Sequence, residues 1–396
     1  MMRVLHLSTY IGRASGGLGS AVRGLAATQI ACGCDAVVWC PDTPAEIGEL
    51  RRAPGTECNL NPLPVIGPSA LGYSLVAQRE AAGAASRRYD ICHQHGLWMA
   101  HSCVTQRWRA ASRRPTVISP HGMLRSQALK RSSWKKWIAA LLYEAHNLRQ
   151  AACLHATSDV EAASFRAYGL QNPIALIPLG ISPNWLEGVG DGARFCRKNA
   201  IPGDTRIMLF LSRIHPIKGL PLLLEALARI RSLLDGWHLA IVGPDEGGHG
   251  RELQRLAQRL GITDLVTFGD AVFGDDKRDA FAAAELFVLP TNSENFSFAV
   301  AEALGAGVPV ITTQGAPWQD LLGYHCGWWI DISTTALQDA LVAATRLSRA
   351  ELVEMGQRGR DLVARKYTWR QVGEQSLMLY EWLLGRSDRP SFVITD

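Results

Sequence analysis

The chain has 396 residues, of which 47% are hydrophobic and 19% are charged, and its formal net charge is +5. This length favours two or more domains, and the composition is typical of a globular protein that buries a sizeable core. The balanced charge excludes a disordered charged tail as the dominant feature of the chain. A net charge this small also gives no reason to expect nucleic-acid binding.

The first half of the chain alternates short apolar runs with helical patterns. The runs predict strands over 3–9, 36–40, 90–94, 116–119, 153–157 and 174–178. The helical patterns between them cover 18–31, 69–86 and 134–150. Apolar strands that alternate with amphipathic helices predict a parallel sheet covered by helices on both faces.

The second half repeats this rhythm after a segment rich in turn-forming residues, from Pro178 to Gly192. Its predicted strands are 207–212, 238–242, 265–268, 286–290 and 308–312, and its predicted helices are 220–234, 251–260, 276–284 and 298–305. A last helical pattern covers 369–384. We therefore expect two α/β domains that join near residue 180.

The apolar stretches are short. The run from Met1 to Ser8 is too short for a secretory signal peptide, and no stretch has the length of a membrane span, so we expect a cytoplasmic chain without a transmembrane helix. The nine cysteines are scattered and odd in number, which favours a reducing compartment over a disulfide framework. Cys32 and Cys34 lack partners at zinc spacing, and we expect both to be buried thiols.

Ligands of doubly wound sheets bind at the carboxyl ends of the strands. After the first predicted strand, the segment Gly12-Arg-Ala-Ser-Gly16-Gly17-Leu-Gly19 opens a helix, where backbone amides can approach an anion. The spacing differs from the dinucleotide pattern G-x-G-x-x-G, and no acidic residue ends the next strand. Both features disfavour an NAD enzyme.

The strand 207–212 leads into two cations, Arg213 and Lys218. Such a pair at a strand end can clamp a diphosphate, whose negative charge grows as it leaves. Taken alone, the pattern fits a solvated loop better.

Two acids follow the strand 286–290, Glu294 in the loop and Glu302 inside the helix 298–305. A carboxylate in an apolar helix start needs hydrogen-bond donors, which sugar hydroxyls provide. The amides near Phe296 and Phe298 are available to a phosphate. The alternative is an acid that favours the helix dipole, next to one amphipathic helix position.

These motifs resemble those of glycosyltransferase family 4, whose members have the GT-B fold. Glu294 and Glu302 form a Glu-x7-Glu pair within an Asn-Phe and Glu-Ala-Leu-Gly-x-Gly-x-Pro-Val frame. Further agreement comes, in the family's order, from Gly16-Gly17, Pro120-His121-Gly122-Met123-Leu124, Ser212-Arg213-x4-Lys218-Gly219 and Ile241-Val-Gly-Pro-Asp-Glu-Gly-Gly248. The resemblance implies two Rossmann-like doubly wound parallel-sheet domains that face a central cleft.

The resemblance also implies what each domain does. Residues 1–180 would form the acceptor-side domain, joined by the C-terminal helix region 369–396, and residues 181–368 would bind the donor. Arg213 and Lys218 match positions that bind the donor diphosphate, and Glu302 matches an acid that hydrogen-bonds the ribose. His121 and Glu294 match residues beside the transferred sugar and are the catalytic candidates.

The remaining donor-binding candidates are Gly16, Gly17, Phe296, Ser297 and Phe298. Ser297 stands where the family has glycine, so the backbone amide is retained but the donor sugar is harder to infer. The resemblance implies a retaining transfer of a hexose from a nucleotide-diphosphate sugar, in which the departing diphosphate takes the acceptor proton. It implies no metal and no cofactor.

Residues 107–150 carry ten cations and one acid, a net +9, which leaves −4 for the rest of the chain. Lysines flank an apolar stripe there, which suits an anionic membrane surface or a lipid-diphosphate acceptor. A core-facing helix with a solvated basic face is the alternative. The membrane or acceptor candidates are Lys130, Arg131, Trp134, Lys135, Lys136 and Trp137.

Family members with a similar Pro-His-Gly-Met-Leu segment look like bacterial polysaccharide-assembly enzymes. The resemblance therefore implies a polyprenyl-diphosphate-linked glycan acceptor in exopolysaccharide or lipopolysaccharide synthesis, and a peripheral location on the inner face of the plasma membrane. No nucleic-acid-binding fold accompanies the charges, so no nucleic-acid partner is expected. Two alternatives stay open, a GT-B nucleotide-sugar epimerase and a non-catalytic membrane-associated GT-B protein.

Overall fold

A computed structural model describes residues 1–12, 15–52, 58–130, 132–188 and 190–395 of the chain. Arg131, one of the membrane or acceptor candidates, lies outside these ranges. The chain divides into two compact units, Met1–Ser182 with Thr368–Asp396, and Pro183–Tyr367. The sequence predicts 1–180 with 369–396, and 181–368.

The first unit contains the strands β1 (Arg3–Ser8), β2 (Asp35–Cys40), β3 (Asn59–Pro62), β4 (Ile91–His95), β5 (Thr116–Ser119), β6 (Cys153–Ala156) and β7 (Ile174–Leu176). The second contains β8 (Arg206–Leu211), β9 (Trp237–Val242), β10 (Val266–Gly269), β11 (Ala284–Leu289), β12 (Val310–Thr313) and β13 (Gly327–Ile330). The last strand, β14 (Val393–Ile394), belongs to the first unit again.

The helices of the first unit are α1 (Gly17–Ala31), α2 (Pro44–Arg52), α3 (Leu75–Ala82), α4 (His101–Ser112), α5 (Ser126–Lys130), α6 (Ser133–Ala139), α7 (Ala145–Arg149) and α8 (Asp159–Ala167). Those of the second are α9 (Asn184–Glu187), α10 (Gly192–Lys198), α11 (Leu220–Arg229), α12 (His249–Arg259), α13 (Gly274–Ala283), α14 (Phe298–Gly305), α15 (Asp320–Gly323), α16 (Thr334–Thr345) and α17 (Arg349–Lys366). Helix α18 (Trp369–Leu383) returns to the first unit.

Each unit is built on one sheet. The first sheet has the order β14-β7-β6-β5-β4-β1-β2-β3, and the second has the order β10-β9-β8-β11-β12-β13. All strand pairs are parallel except β14 with β7. The prediction of doubly wound α/β units with parallel sheets is therefore confirmed.

Alternation along β1 explains why helices cover both faces of the first sheet. Val4 belongs to the core cluster on the α18 face, whereas Leu5 belongs to the opposite cluster with Trp108 of α4. Successive side chains of a strand point to opposite faces, so a fully buried strand needs apolar or hydrogen-bonded residues on both.

Helix α18 packs against α1 through a close contact. A Cβ atom at Gly24 of α1 would lie 2.2 Å from the Trp369 indole, so the helices approach this closely because position 24 has no side chain. Thr368 and Gln371 form a capping box that starts α18. The C-terminal helix thus completes the core of the first unit.

The helical pattern 134–150 is confirmed, and its middle turn, Ala140–Glu144, is π-helical between α6 and α7. Two other predictions about local structure are wrong. The predicted helix 69–86 is interrupted, because Gly72 has a φ of +57° and Ser74 caps α3 with a hydrogen bond from the Ala77 amide. Cys32 is exposed, although Cys34 is buried as expected.

Candidate functional site

The loops after two neighbouring strands of the second unit meet at Gly219. Its φ is +72°, and a Cβ there would lie 1.9 Å from the Pro290 carbonyl oxygen, so only glycine allows the β8 loop to pass this close to the β11 loop. The Asn292 amide donates to the Ile217 carbonyl at 2.8 Å, which ties the two loops together. The carboxyl ends of β8 and β11 therefore present their side chains to one place.

Lys218 and Glu294 form an ion pair at this place, between Nζ and Oε1. Their side chains are only 8% and 14% exposed. Removing one partner of a buried pair leaves an uncompensated charge, which costs about 3–5 kcal/mol. The sequence placed these two residues on separate motifs, and the structure brings them together.

Arg213, the other cation after β8, is held differently. Its Nη1 donates to Glu246 Oε1 and Oε2 at 2.8 and 3.0 Å, and both side chains are about half-exposed. An exposed pair of this kind contributes about 0–1 kcal/mol. Arg213 can therefore exchange Glu246 for another anion at little cost.

Glu302 lies in α14 and is 9% exposed. Its Oε2 is 2.5 Å from Lys277 Nζ of α13, and that ammonium also lies 5.7 Å from the Trp185 ring centroid. Sequence reasoning missed Lys277, because nothing in its spacing connects it with α14. The two acids of the Glu-x7-Glu pair are thus each matched with a lysine from another element.

The residues before α14 differ in what they offer a ligand. Phe296 is 4% exposed and packs on Trp318, so any contribution to a donor site comes from its backbone. The Phe298 ring lies 5.4 Å from that of Phe296. Ser297 precedes the helix with φ +71° and ψ +86°, a backbone conformation that favours glycine. The family's glycine at this position therefore has a conformational reason.

In the first unit, Gly16 precedes α1 with a φ of +60°, and Gly17 is the first helical residue. Residues 13 and 14 of this glycine-rich segment lie outside the described residues. The start of α1 thus carries backbone amides at the carboxyl end of β1, where a ligand of a doubly wound sheet binds.

His121 follows β5 in a left-handed conformation, with a φ of +52°. The Gly122 amide donates to Glu161 Oε1, which holds the turn. His121 Nε2 is 3.1 Å from His95 Nδ1, and the rings stack with centroids 5.4 Å apart. The ring of this catalytic candidate is therefore held by a hydrogen bond and a stacking contact with a second histidine, His95.

His121 is one end of a hydrogen-bonded set that we call the histidine network. The set consists of His121, His95, His6, Gln29, Tyr380, His93, Ser119, His155 and the Ile177 carbonyl. Its other four histidines lie on β1, β4 and β6 and are at most 2% exposed. Sequence reasoning missed the network, although a His-x-His pattern inside a buried parallel strand is its visible signal.

The network has two halves that meet at Tyr380 of α18. In the first, His95 Nε2 is 2.9 Å from His6 Nδ1, and His6 Nε2 is 2.8 Å from Gln29 Oε1. Gln29 Nε2 then donates to the Tyr380 hydroxyl at 3.1 Å and to Ser376 Oγ at 2.9 Å.

In the second half, the Tyr380 hydroxyl is 2.6 Å from His93 Nδ1, and His93 Nε2 is 2.6 Å from Ser119 Oγ. Ser119 Oγ is 2.8 Å from His155 Nδ1, and His155 Nε2 is 2.8 Å from the Ile177 carbonyl oxygen.

Burial keeps these rings neutral. It lowers the pKa of His6 and of His155 to about 4 and that of His121 to about 3. It also lowers the pKa of His93 and of His95, and neighbouring histidines add to the effect. At pH 7 each ring therefore carries a single N–H.

The basic segment exposes the apolar stripe that the sequence placed beside its lysines. The most exposed of these side chains are Trp134 (65%), Trp137 (67%), Leu141 (72%) and Leu142 (72%). Lys135 Nζ lies 5.5 Å from the Trp134 ring centroid, whereas Lys136 donates to the Ala128 carbonyl. The core-facing alternative is therefore wrong for this stripe.

Not all cations of the segment belong to that surface. Arg109 donates to Thr116 Oγ1 at 2.9 Å, and Arg114 pairs with Asp90 at 3.0 Å. Among the described residues, no helix is long and apolar enough to cross a membrane.

Two family profiles match the chain. "Glycosyl transferase 4-like domain" matches residues 16–180, and "Glycosyl transferases group 1" matches residues 193–360. The chain belongs to the GT-B glycosyltransferases of the family 4 type. The two matched regions fall in the first and the second unit, respectively.

Individual relatives of this family 4 chain are distant. A D-inositol 3-phosphate glycosyltransferase of Streptomyces scabiei (strain 87.22) is 30% identical over 243 residues, which are 58% of this chain and 54% of that protein. The chain thus spans about half the length of this relative and of two similar ones.

Solved structures show the same fold over nearly the whole chain. A sucrose-phosphate synthase from Thermosynechococcus elongatus superposes with a TM-score of 0.77 and 22% identity, covering 97% of this chain and 100% of that one. Anabaena HepE, crystallised with UDP and glucose, gives 0.75 and 18%, covering 95% and 98%.

The neutral histidines predict that the protein is sensitive to acid. The pKa of His6 and of His155 is lower in the folded chain than the ordinary 6.5, so the unfolded chain binds more protons below pH 6.5. Stability is therefore full above pH 6.5 and falls as the pH drops towards 4, by about 1.4 kcal/mol per pH unit for each such histidine. Calorimetric unfolding temperatures of the full chain between pH 7.5 and 4.5 test this, and a flat profile would contradict it.

The conformation of Ser297 predicts that glycine stabilises the loop before α14. Ser297→Gly removes a left-handed strain of about 1–2 kcal/mol, and the extra entropy of glycine in the unfolded chain offsets part of that gain. We expect the free energy of unfolding in urea to rise by roughly 0.5–1 kcal/mol. Ser333→Gly is the matched control. Ser333 caps α16 in an extended conformation and accepts a hydrogen bond from the Ala336 amide, so this change should lower the free energy of unfolding.

Proposed function

We propose that the chain is a retaining, metal-independent glycosyltransferase that moves a hexose from a nucleotide-diphosphate sugar to a glycan acceptor. The buried Lys218–Glu294 ion pair at the carboxyl ends of β8 and β11 is the observation that carries the proposal. The acceptor we propose is a polyprenyl-diphosphate-linked oligosaccharide in exopolysaccharide or lipopolysaccharide synthesis.

The donor diphosphate would bind the two cations that follow β8. Lys218 is held in place and largely out of water, so its charge acts strongly on a developing anion. Arg213 can leave its exposed pair with Glu246 and chelate phosphate oxygens with two N–H groups. Two cations stabilise the leaving group here, which is the task a metal ion performs in other transferases.

The two acids would bind the sugars of the donor. Glu302, beside Lys277, is placed to accept hydrogen bonds from ribose hydroxyls, and Glu294 from the hexose. Their lysine partners orient both carboxylates, whose oxygens can accept hydrogen bonds from hydroxyl groups.

Retention follows if the acceptor attacks the face of the sugar from which the diphosphate departs. In that reaction the bond from the anomeric carbon to the diphosphate oxygen breaks, the bond to the acceptor oxygen forms, and the acceptor proton passes to the diphosphate. Lys218 and Arg213 then need only hold the departing group.

An anionic lipid surface is the partner we propose for the exposed stripe of the basic segment. Tryptophan and leucine side chains enter the interface between headgroups and acyl chains, and lysines bind anionic headgroups. The side chains of Trp134, Trp137, Leu141 and Leu142 are all more than 60% exposed, and Lys135 lies beside the first of them. Such a surface would place the chain peripherally on the inner face of the plasma membrane, beside a lipid-linked acceptor.

The donor assignment predicts that Lys218→Ala or Glu302→Ala lowers the transfer rate by at least about 100-fold, because each removes a group that binds the donor in the transition state. UDP-glucose is the first donor to assay, since HepE was crystallised with UDP and glucose. Labelled-product analysis measures transfer and also distinguishes an epimerase, whose product is a new nucleotide sugar. A chain that binds donor without turning it over is a non-catalytic protein.

The controls separate loss of chemistry from loss of fold. Lys198→Ala removes an exposed lysine paired with Asp276 and should keep full activity. The double variant Lys218→Met/Glu294→Gln leaves no unpaired buried charge, so it should be inactive yet fold. Full activity in Lys218→Ala and Glu302→Ala would refute the donor site.

The stripe predicts binding to anionic vesicles. The triple variant Trp134→Ser/Lys135→Ser/Trp137→Ser should lose most flotation with phosphatidylglycerol vesicles, whereas neither protein should float with phosphatidylcholine in high salt. Phe273→Ser removes an aromatic side chain that is 75% exposed elsewhere and is the matched control. Equal flotation of the triple variant and the wild type would contradict a membrane role for this surface.

A further inference from the structure

We propose that the histidine network fixes His121 as the tautomer protonated at Nε2, so that His121 presents an unprotonated Nδ1 as a hydrogen-bond acceptor to a substrate hydroxyl. In this proposal Tyr380 of α18 is a positioning residue that acts on His121 from the far side of the network. The substrate part rests on the function proposed above, whereas the tautomer is a property of the folded chain.

The direction of the network is set at the Ile177 carbonyl. A carbonyl oxygen only accepts, so His155 Nε2, at 2.8 Å, must carry the proton. The neutral ring then has a lone pair on Nδ1, which accepts from the Ser119 hydroxyl. Ser119 Oγ in turn accepts from His93 Nε2, and this leaves His93 Nδ1 as the acceptor for the Tyr380 hydroxyl.

The same direction continues to His121. The Tyr380 oxygen accepts from the Gln29 amide, which turns the Gln29 carbonyl oxygen towards His6. His6 therefore carries its proton on Nε2 and accepts from His95 Nε2 through Nδ1. His95 Nδ1 is then an acceptor, and the proton between it and His121 belongs to His121 Nε2. Among the described residues, His121 Nδ1 has no hydrogen-bond partner.

Each ring must be neutral for this direction to hold, because a doubly protonated ring would donate in both directions. Burial lowers the pKa of every histidine of the network, and those of His121 and His155 fall to about 3 and about 4. The direction therefore persists across the pH range in which most enzymes are assayed.

The opposite direction fails at one atom pair. If the Gln29 amide were reversed, every proton in the network would shift to the other nitrogen or oxygen of its pair. His155 Nε2 would then turn a lone pair towards the Ile177 oxygen at 2.8 Å, so two acceptors would face each other. A buried repulsion of this kind is not relieved by water, which makes the backbone carbonyl the element that decides the direction.

A metal ion is the competing explanation for three of these histidines. Ligand atoms of His6, His93 and His95 lie within 4.8 Å of one another. However, a metal ligand needs a lone pair, and the 2.9 Å contact between His6 Nδ1 and His95 Nε2 is a hydrogen bond in which one nitrogen has none. The geometry therefore favours protons over a metal, and metal content becomes an outcome of the test.

The tautomer can be read directly from the wild-type protein. Two-bond and three-bond correlations between ring nitrogens and carbon-bound protons distinguish a protonated from an unprotonated nitrogen in protein labelled with ¹⁵N-histidine. His121→Asn assigns the His121 signals by their loss. We expect a protonated Nε2 and an unprotonated Nδ1 for His121 at pH 7. A proton on Nδ1, equal populations of the two forms, or bound zinc found by elemental analysis would overturn the proposal.

Two buried hydroxyls make a matched pair of variants. Tyr380 and Ser376 both accept from the Gln29 amide, but only Tyr380 passes the direction on to His93, whereas the Ser376 hydroxyl donates to the Gly373 carbonyl. Both hydroxyls hold the Gln29 amide, so the double variant Tyr380→Phe/Ser376→Ala should release Gln29 and give a mixture of His121 tautomers, with kcat/KM for transfer reduced about two- to tenfold. Ser376→Ala should keep the wild-type tautomer and activity.

The position of the acceptor atom gives a second readout. The terminal atoms of asparagine lie near Nδ1 of a histidine ring and those of glutamine near Nε2, so His121→Asn should retain more transfer activity than His121→Gln. The reverse order would contradict the use of Nδ1. If no nucleotide sugar is turned over but the tautomer is as expected, the proposed function has failed and the network stands. If the protein transfers a sugar but His121 carries its proton on Nδ1, the network proposal has failed and the proposed function stands.

Discussion

A polar side chain on a strand that helices cover on both faces has no water to bind, so the protein itself must supply its partner. The first unit of this family 4 chain carries histidines on three such strands, and the second carries Lys218 and Glu294 in loops after strands and Glu302 in α14. The fold is compatible with these residues only because each is hydrogen-bonded or paired. This constraint links the architecture to the sites.

The two units meet the constraint in different ways. The second matches opposite charges from separate elements, so that Lys218 and the two acids each have a partner of opposite charge. The first keeps its rings neutral and joins them through shared protons, with a direction that one backbone carbonyl sets. Helix α18 takes part in the histidine network of the first unit, because its Tyr380 connects the two halves of that network.

The sequence predicted the parts of the fold that periodicity and motifs specify. The parallel strands appear as apolar runs, and two family motifs contain the loops after β8 and β11, in which Lys218 and Glu294 lie. It could not predict the Lys277–Glu302 pair or the connection between His121 and Tyr380, because these join residues from elements with no common pattern. The break at Gly72 and the exposure of Trp134 depend on packing, which a helical period does not record. Ser297 was visible as a departure from the family, but its cost follows from a φ of +71° that only coordinates give.

In the function proposed above, the loops after β8 and β11 bind a nucleotide-diphosphate sugar. Isothermal titration calorimetry of the wild-type chain with a panel of nucleotide-diphosphate hexoses measures this directly, without knowledge of the acceptor. We expect saturable binding of one donor per chain for at least one member of the panel, and much weaker binding of the corresponding nucleoside without its phosphates. A folded chain that binds none of the panel, or that binds the nucleoside equally well, would contradict the account.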